Sequence, residues 1–191
     1  MRRRMFLMRA LGGISGVLCM GHTPFQQWVV YRKRHLIILT GKTDGSAYEL
    51  GKRVAAVLAN ELPASQARVT RAPYMERIGS LLSTDQLDVA LLSGPAAVAL
   101  LHGLPPFTDY GPLALRRIVA LGAYLLVCRD DFPARHAYLV AQALDEHLAE
   151  LAANASAPSE AGNDTGTVPM HPGALAYIEG QPIPELTSPK P

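Results

Sequence analysis

The sequence predicts an α/β fold with a doubly wound, mostly parallel sheet, and three observations carry that expectation. Leu36, Ile37, Ile38 and Leu39 form an apolar run of strand length, and after a polar loop Leu50, Val54, Val57 and Leu58 recur at helical spacing. Residues 87–92 form a third strand, whose near-continuous apolar character suits a parallel sheet covered on both faces. A strand-turn-helix unit repeated at this spacing is the signature of a doubly wound sheet.

The first unit sets the expected site. Its loop, Thr40-Gly41-Lys42-Thr43-Asp44-Gly45-Ser46, joins the end of a strand to the start of a helix. Open α/β sheets bind ligands outside the carboxyl ends of their strands. A helix start offers unpaired N–H groups and a partial positive charge, so it suits a carboxylate or phosphate. Asp44 or Ser46 caps this helix.

The remaining elements follow in order. Leu62-Pro63 ends the first helix. Residues 67–71 alternate as a strand, and 74–83 read as a short helix with Ile78, Leu81 and Leu82 inward. Ser93-Gly94-Pro95 turns the third strand into a helix reaching about residue 102, with proline at the first helical position. A loop rich in proline and glycine spans 103–113. Residues 115–129 are long for one strand, and Gly122 marks a bend or bulge. Phe132-Pro133 opens a helix to about residue 153, with Leu139, Ala143, Leu144, Leu148 and Leu151 on its inner face. A flexible Ser, Gly, Ala and Asn-rich loop then leads to an ordered segment, 168–177.

Charge and composition limit the function classes. The 191-residue chain carries a formal net charge of +2, but no acidic residue precedes Asp44. Without residues 1–21, which hold four arginines, the net charge becomes −2. The body is therefore not basic, and nucleic acid is not an expected partner. Basic residues followed by a glycine-rich apolar stretch give residues 1–21 the layout of an export signal or retained membrane anchor. Arg3-Arg4 before Met5-Phe6-Leu7 fits the twin-arginine pattern, which places the protein in the periplasm. Residues 22–34 read as a linker, 35–180 as the α/β domain, and the proline-rich 181–191 as a disordered tail.

No catalytic or metal constellation emerges. Gly41-Lys42-Thr43 lacks the glycine that a nucleotide loop needs five residues earlier, where Leu36 stands. The six histidines never fall at paired metal-ligand spacing, so neither a metal nor another cofactor is expected. Cys128 lies in an apolar strand, where a thiol is inert, and no Gly-x-Ser-x-Gly elbow occurs. His171 reads as a structural residue that ties down a terminal loop. The expectation is a protein that is not an enzyme.

Three segments together resemble the TAXI branch of the solute-binding proteins that serve TRAP transporters. They are Thr40-Gly41 with Gly45-Ser46-Ala47-Tyr48-Glu49-Leu50-Gly51, the stretch from Leu82 to Leu92 with Asp88, and Val168-Pro169-Met170-His171-Pro172-Gly173-Ala174 with Tyr177. The resemblance covers residues 36–180. It implies an extracytoplasmic receptor of periplasmic-binding-protein type II that captures a small organic acid or amino acid and presents it to membrane permease subunits. It assigns the ligand contacts to Thr40, Gly41, Lys42, Thr43, Gly45, Ser46, Tyr48, Ser93 and Gly94. Members of that family have two lobes that close over the solute. Here the strand that leaves the first lobe, 115–121, and the strand that returns, 123–127, are joined by little more than Gly122, so a single lobe is expected. Arg71-Ala72-Pro73-Tyr74-Met75 also replaces the family's Gly/Ser-rich second loop. Two functions follow as expectations. One is a minimal solute receptor in which a homodimer supplies the missing wall. The other is a single-lobe interaction or scaffold protein at the membrane surface, without ligand binding.

Overall fold

The computed structural model describes residues 35–153 and 168–185. The expected leader, the whole of the expected linker, the Ser/Asn-rich loop and the end of the tail lie outside the described residues. The elements run β1 (Ile37–Gly41), α1 (Gly45–Glu61), β2 (Arg68–Ala72), α2 (Met75–Ser83), β3 (Val89–Ser93), α3 (Gly94–His102), β4 (Leu115–Leu121), β5 (Tyr124–Arg129), α4 (Ala134–Asp145), α5 (Leu148–Ala153) and α6 (Pro172–Ile178). The strands form one five-stranded sheet in the order β2-β1-β3-β5-β4. Strand β1 pairs parallel with β2 and β3, while β5 runs antiparallel to both β3 and β4. Four strands therefore share one direction and β5 opposes them, which gives the expected mostly parallel α/β lobe.

Strand alternation sorts side chains onto two covered faces. Ile38, Val89, Leu91, Leu126 and Cys128 point to the side that packs with α1, α4 and α6. Leu39, Ala90, Leu92, Leu125 and Val127 point to the other, against Ile78 and Leu82 of α2 and Ala97 and Leu100 of α3. Burial on both faces explains why β3 and β5 read as unbroken apolar runs. Helix α1 lies close to the sheet because residue 51 is glycine: a Cβ there would stand 2.9 Å from Val69 Cγ2.

Two expectations change. The chain does not merely bend at Gly122. It reverses in a two-residue turn, with Leu121 opposite Tyr124 and Gly122 at φ +61°. A glycine with positive φ at the first turn position matches the right-handed twist of a hairpin. The irregularity lies elsewhere, between Arg117 and Val119. The single helix expected over 132–153 is two, α4 and α5, because the chain breaks at Glu146 and His147. Leu139 is only partly buried, whereas Tyr138 and Val140 carry the inner face.

Segment 168–171 adds to the open edge of β4. The Arg117 amide donates to the Pro169 carbonyl, and the His171 amide donates to the Arg117 carbonyl, both at 2.8 Å. His171 is 2% exposed. Its Nδ1 accepts from the Gly173 amide at 3.1 Å, which caps α6, so Nε2 carries the proton donated to the Phe132 carbonyl at 2.9 Å. Burial lowers the His171 pKa and favours this neutral form, against the pull of the Phe132 carbonyl. His171 therefore ties down the terminal segment, as the sequence suggested. Gly173 permits the approach, since a Cβ there would stand 1.9 Å from the Ala134 carbonyl oxygen.

Candidate functional site

Strands β1 and β3 end side by side, and their following helices both start at that edge. The hairpin tip meets them there, because Ser93 pairs with Tyr124 and the Gly94 amide donates to the Ala123 carbonyl at 3.0 Å. The site is thus built from the 41–46 loop, the start of α3 and the turn between β4 and β5.

Asp44 is its centre. It caps α1, with Oδ1 accepting from the Ala47 amide at 2.9 Å. The same oxygen accepts from the Tyr124 hydroxyl at 2.9 Å. Tyr124 is fully buried, and burial pushes its phenol pKa up, aided by the Asp44 hydrogen bond and charge and partly opposed by Ser46. The phenol stays protonated and serves as a fixed donor.

The nine residues assigned by resemblance divide by exposure. Lys42, Thr43, Gly45 and Ser46 are exposed at the mouth. The first-turn amides of α1 at Gly45 and Ser46 have no partner within the helix, as at any helix start. Ser93 and Tyr48 are half-buried. The Arg71 guanidinium lies 4.2 Å from the Tyr48 ring centroid and the Lys52 ammonium 5.4 Å, a cation–π arrangement that places positive charge beside the ring. Thr40, Gly41 and Gly94 are buried. The Thr40 hydroxyl donates to the Thr70 carbonyl, and its methyl lies near Gly51, so this side chain packs under α1. Gly41 makes room for Met75, whose sulfur would stand 2.7 Å from a Cβ there.

Sequence reasoning missed Tyr124. Its signal was a hydroxylated aromatic opening an otherwise aliphatic strand directly after a turn. Between Asp44 and Ser46 as caps, the structure selects Asp44.

Chemically, the edge combines a carboxylate with exposed amides, hydroxyls and neighbouring cations. The helix starts are partly satisfied already, by Asp44 on Ala47 and by Ala123 on Gly94. Among the described residues no group of three or more His, Cys, Asp or Glu side chains could hold a metal ion. Cys128 is buried and its thiol pKa is pushed up by burial and by the charge of Asp88. Among the described residues, no helix is long and apolar enough to cross a membrane. No protein-family model matches the chain, and no curated protein matches it.

Proposed function

We propose that the chain is a single-lobe solute receptor of TAXI type, exported to the periplasm, that captures a small organic acid or amino acid and hands it to TRAP-type permease subunits. The observation that carries the reading is the meeting of two helix starts with the hairpin tip. By the resemblance to the TAXI branch, 115–121 corresponds to the strand that leaves the first lobe and 123–127 to the one that returns. These are β4 and β5, paired to each other, with their turn beside Gly94 and Asp44. A second copy of the chain or the permease itself then covers the ligand.

The charge pattern narrows the solute. Asp44 repels an anion that has no compensating charge, while Lys42, Ser46 and the first-turn amides attract one. An α-amino acid, with ammonium to Asp44 and carboxylate to the α1 start, fits better than a dicarboxylate. Thermal unfolding with and without ligand tests this. At a hundredfold excess over Kd, binding stabilises by about 2.7 kcal/mol, which raises Tm by roughly 5–10 °C in a chain of this size. The expected result is such a shift with an amino acid and a smaller one with succinate.

A second reading is favoured by Asp44 and Ala123, which already fill two of the donors a ligand would use. On that reading the lobe binds no small solute and acts as an interaction protein at the membrane surface. The absence of any shift across a millimolar panel of amino acids and organic acids overturns the receptor reading and leaves this one. Export is tested separately by changing Arg3 and Arg4 to Lys and following the fraction of protein in the periplasm.

A further inference from the structure

The terminal segment 168–185 is fastened to the lobe at a few points, and a titratable group stands among them. Residues 168–171 meet β4 through the amide and carbonyl of Arg117. Helix α6 then lies on α4. Gly173 abuts the Ala134 carbonyl, the Tyr138 hydroxyl donates to the Gln181 carbonyl at 3.1 Å, and the Tyr177 hydroxyl donates to Asp145 at 3.0 Å. The buried apolar side chains of the segment are Val168, Ala174 and Ala176, and two of these are single methyl groups. A segment so attached opens at a lower free energy than a sheet covered on both faces.

His171 bonds in both directions. Neutral, its ring accepts from the Gly173 amide at Nδ1 and donates to the Phe132 carbonyl from Nε2. Protonated, the ring has two donors and no acceptor, so Nδ1–H faces the Gly173 N–H, and a charge is buried as well. The surrounding charges do not offset this. Asp130 favours the imidazolium, but it is paired with Arg116 of β4, which opposes it. His136 of α4 is exposed across the Phe132 ring, and Asp145 is engaged by Tyr177. Opening brings the imidazolium into water and parts the two donors. We propose that His171 is an acid-sensitive clasp, whose protonation frees the terminal segment 168–185 from β4 and α4 as a unit while the five-stranded sheet stays folded. Release uncovers the outer edge of β4 at Arg117 and the side of α4 that carries Ala134 and Tyr138. The clasp is separate from the strand-end loop and independent of the receptor reading.

The test is hydrogen exchange of the full chain, followed by NMR at pH 7.5 and pH 5.5 in low concentrations of denaturant and corrected for the intrinsic pH dependence of exchange. The reporters are the amides of Arg117, Leu175 and Gln181, which the attached segment protects. They are expected to exchange faster than the amides of β1 and β3 at both pH values, with a weaker dependence on denaturant. Their protection is expected to fall by up to about tenfold between pH 7.5 and pH 5.5, because the open segment takes up the proton near the ordinary histidine pKa and the closed one less readily. His171→Asn keeps an acceptor for the Gly173 amide and cannot titrate, so its reporters are expected to be less protected at both pH values and to show no such fall. His136→Gln is expected to keep the fall seen in the parent. The proposal is overturned if the parent's reporters keep their protection at pH 5.5. It is equally overturned if they share the free energy and denaturant dependence of β1 and β3, since the segment then opens only with the whole lobe, or if His171→Asn shows the parent's fall.

Discussion

Oδ1 of Asp44 accepts from both the Ala47 amide and the Tyr124 hydroxyl, so one oxygen starts α1 and fixes the first residue of β5. Asp44→Ala removes a cap and strands a buried phenol, for an expected loss of about 2–4 kcal/mol in denaturant unfolding. Asp44→Asn keeps an acceptor and loses less. Tyr124→Phe costs about 1 kcal/mol, since Asp44 keeps the Ala47 amide and is only half-buried. If the receptor reading holds, Asp44→Asn also weakens amino-acid binding more than it weakens folding. His171 makes a separate prediction. Its folded pKa lies below the ordinary histidine value, so the unfolded chain binds the proton more readily. The contribution is complete above about pH 6.5 and is lost as pH falls from there through the folded pKa. His171→Asn should lower stability at pH 7.5 by about 1–3 kcal/mol and remove part of the acid sensitivity, read from unfolding midpoints across pH. At this scale the sequence was legible where partners are neighbours. Spacing narrows the cap to Asp44 or Ser46, but it gives no sign of the bond from Asp44 to a residue 80 positions away.

The elements show the same division. The sequence located β1, β2, β3, α1, α2 and α3 to within about two residues, because apolar period and capping are local. It left the form of 168–177 open, although the short helix α6 and its clasp on Phe132 are what that motif builds. Gly173 tests the clasp. Gly173→Ala places a methyl against a backbone carbonyl that cannot rotate away, so α4 and α6 must separate. The expected cost is about 3 kcal/mol, at the upper end for overpacking, measured by chemical denaturation. A nearby exposed change, Leu175→Ala, is expected to stay within about 0.5 kcal/mol of the parent, because Leu175 already faces solvent. The break between α4 and α5 was missed because Glu146 and His147 carry no helix-breaking chemistry. Asp145, at the break, instead accepts from the Tyr177 hydroxyl of α6 at 3.0 Å, a contact made only on folding.

At the scale of the whole lobe the two ends of the sheet differ in character. The end at the strand carboxyl termini carries amides, hydroxyls and the Asp44–Tyr124 pair, and the other carries a cavity walled by Phe132 and Val140. The sequence pointed only to the first, since strand-loop-helix units advertise it, whereas the cavity is assembled from segments far apart in the chain. The hairpin between β4 and β5 has a further consequence, for the order in which the molecule assembles. Closing a connection costs about 0.6 kcal/mol more for each doubling of its length, so a two-residue link is nearly free of that cost. β5 then lies between β4 and β3, so a locally formed ribbon presents the edge on which β3, β1 and β2 add. Val127→Ala, in the ribbon, is expected to slow folding with little change in unfolding, and Val69→Ala, in the outermost strand, to speed unfolding instead. Chevron plots of the two variants separate these outcomes. The short turn thus sets a starting point for folding as well as a boundary of the site.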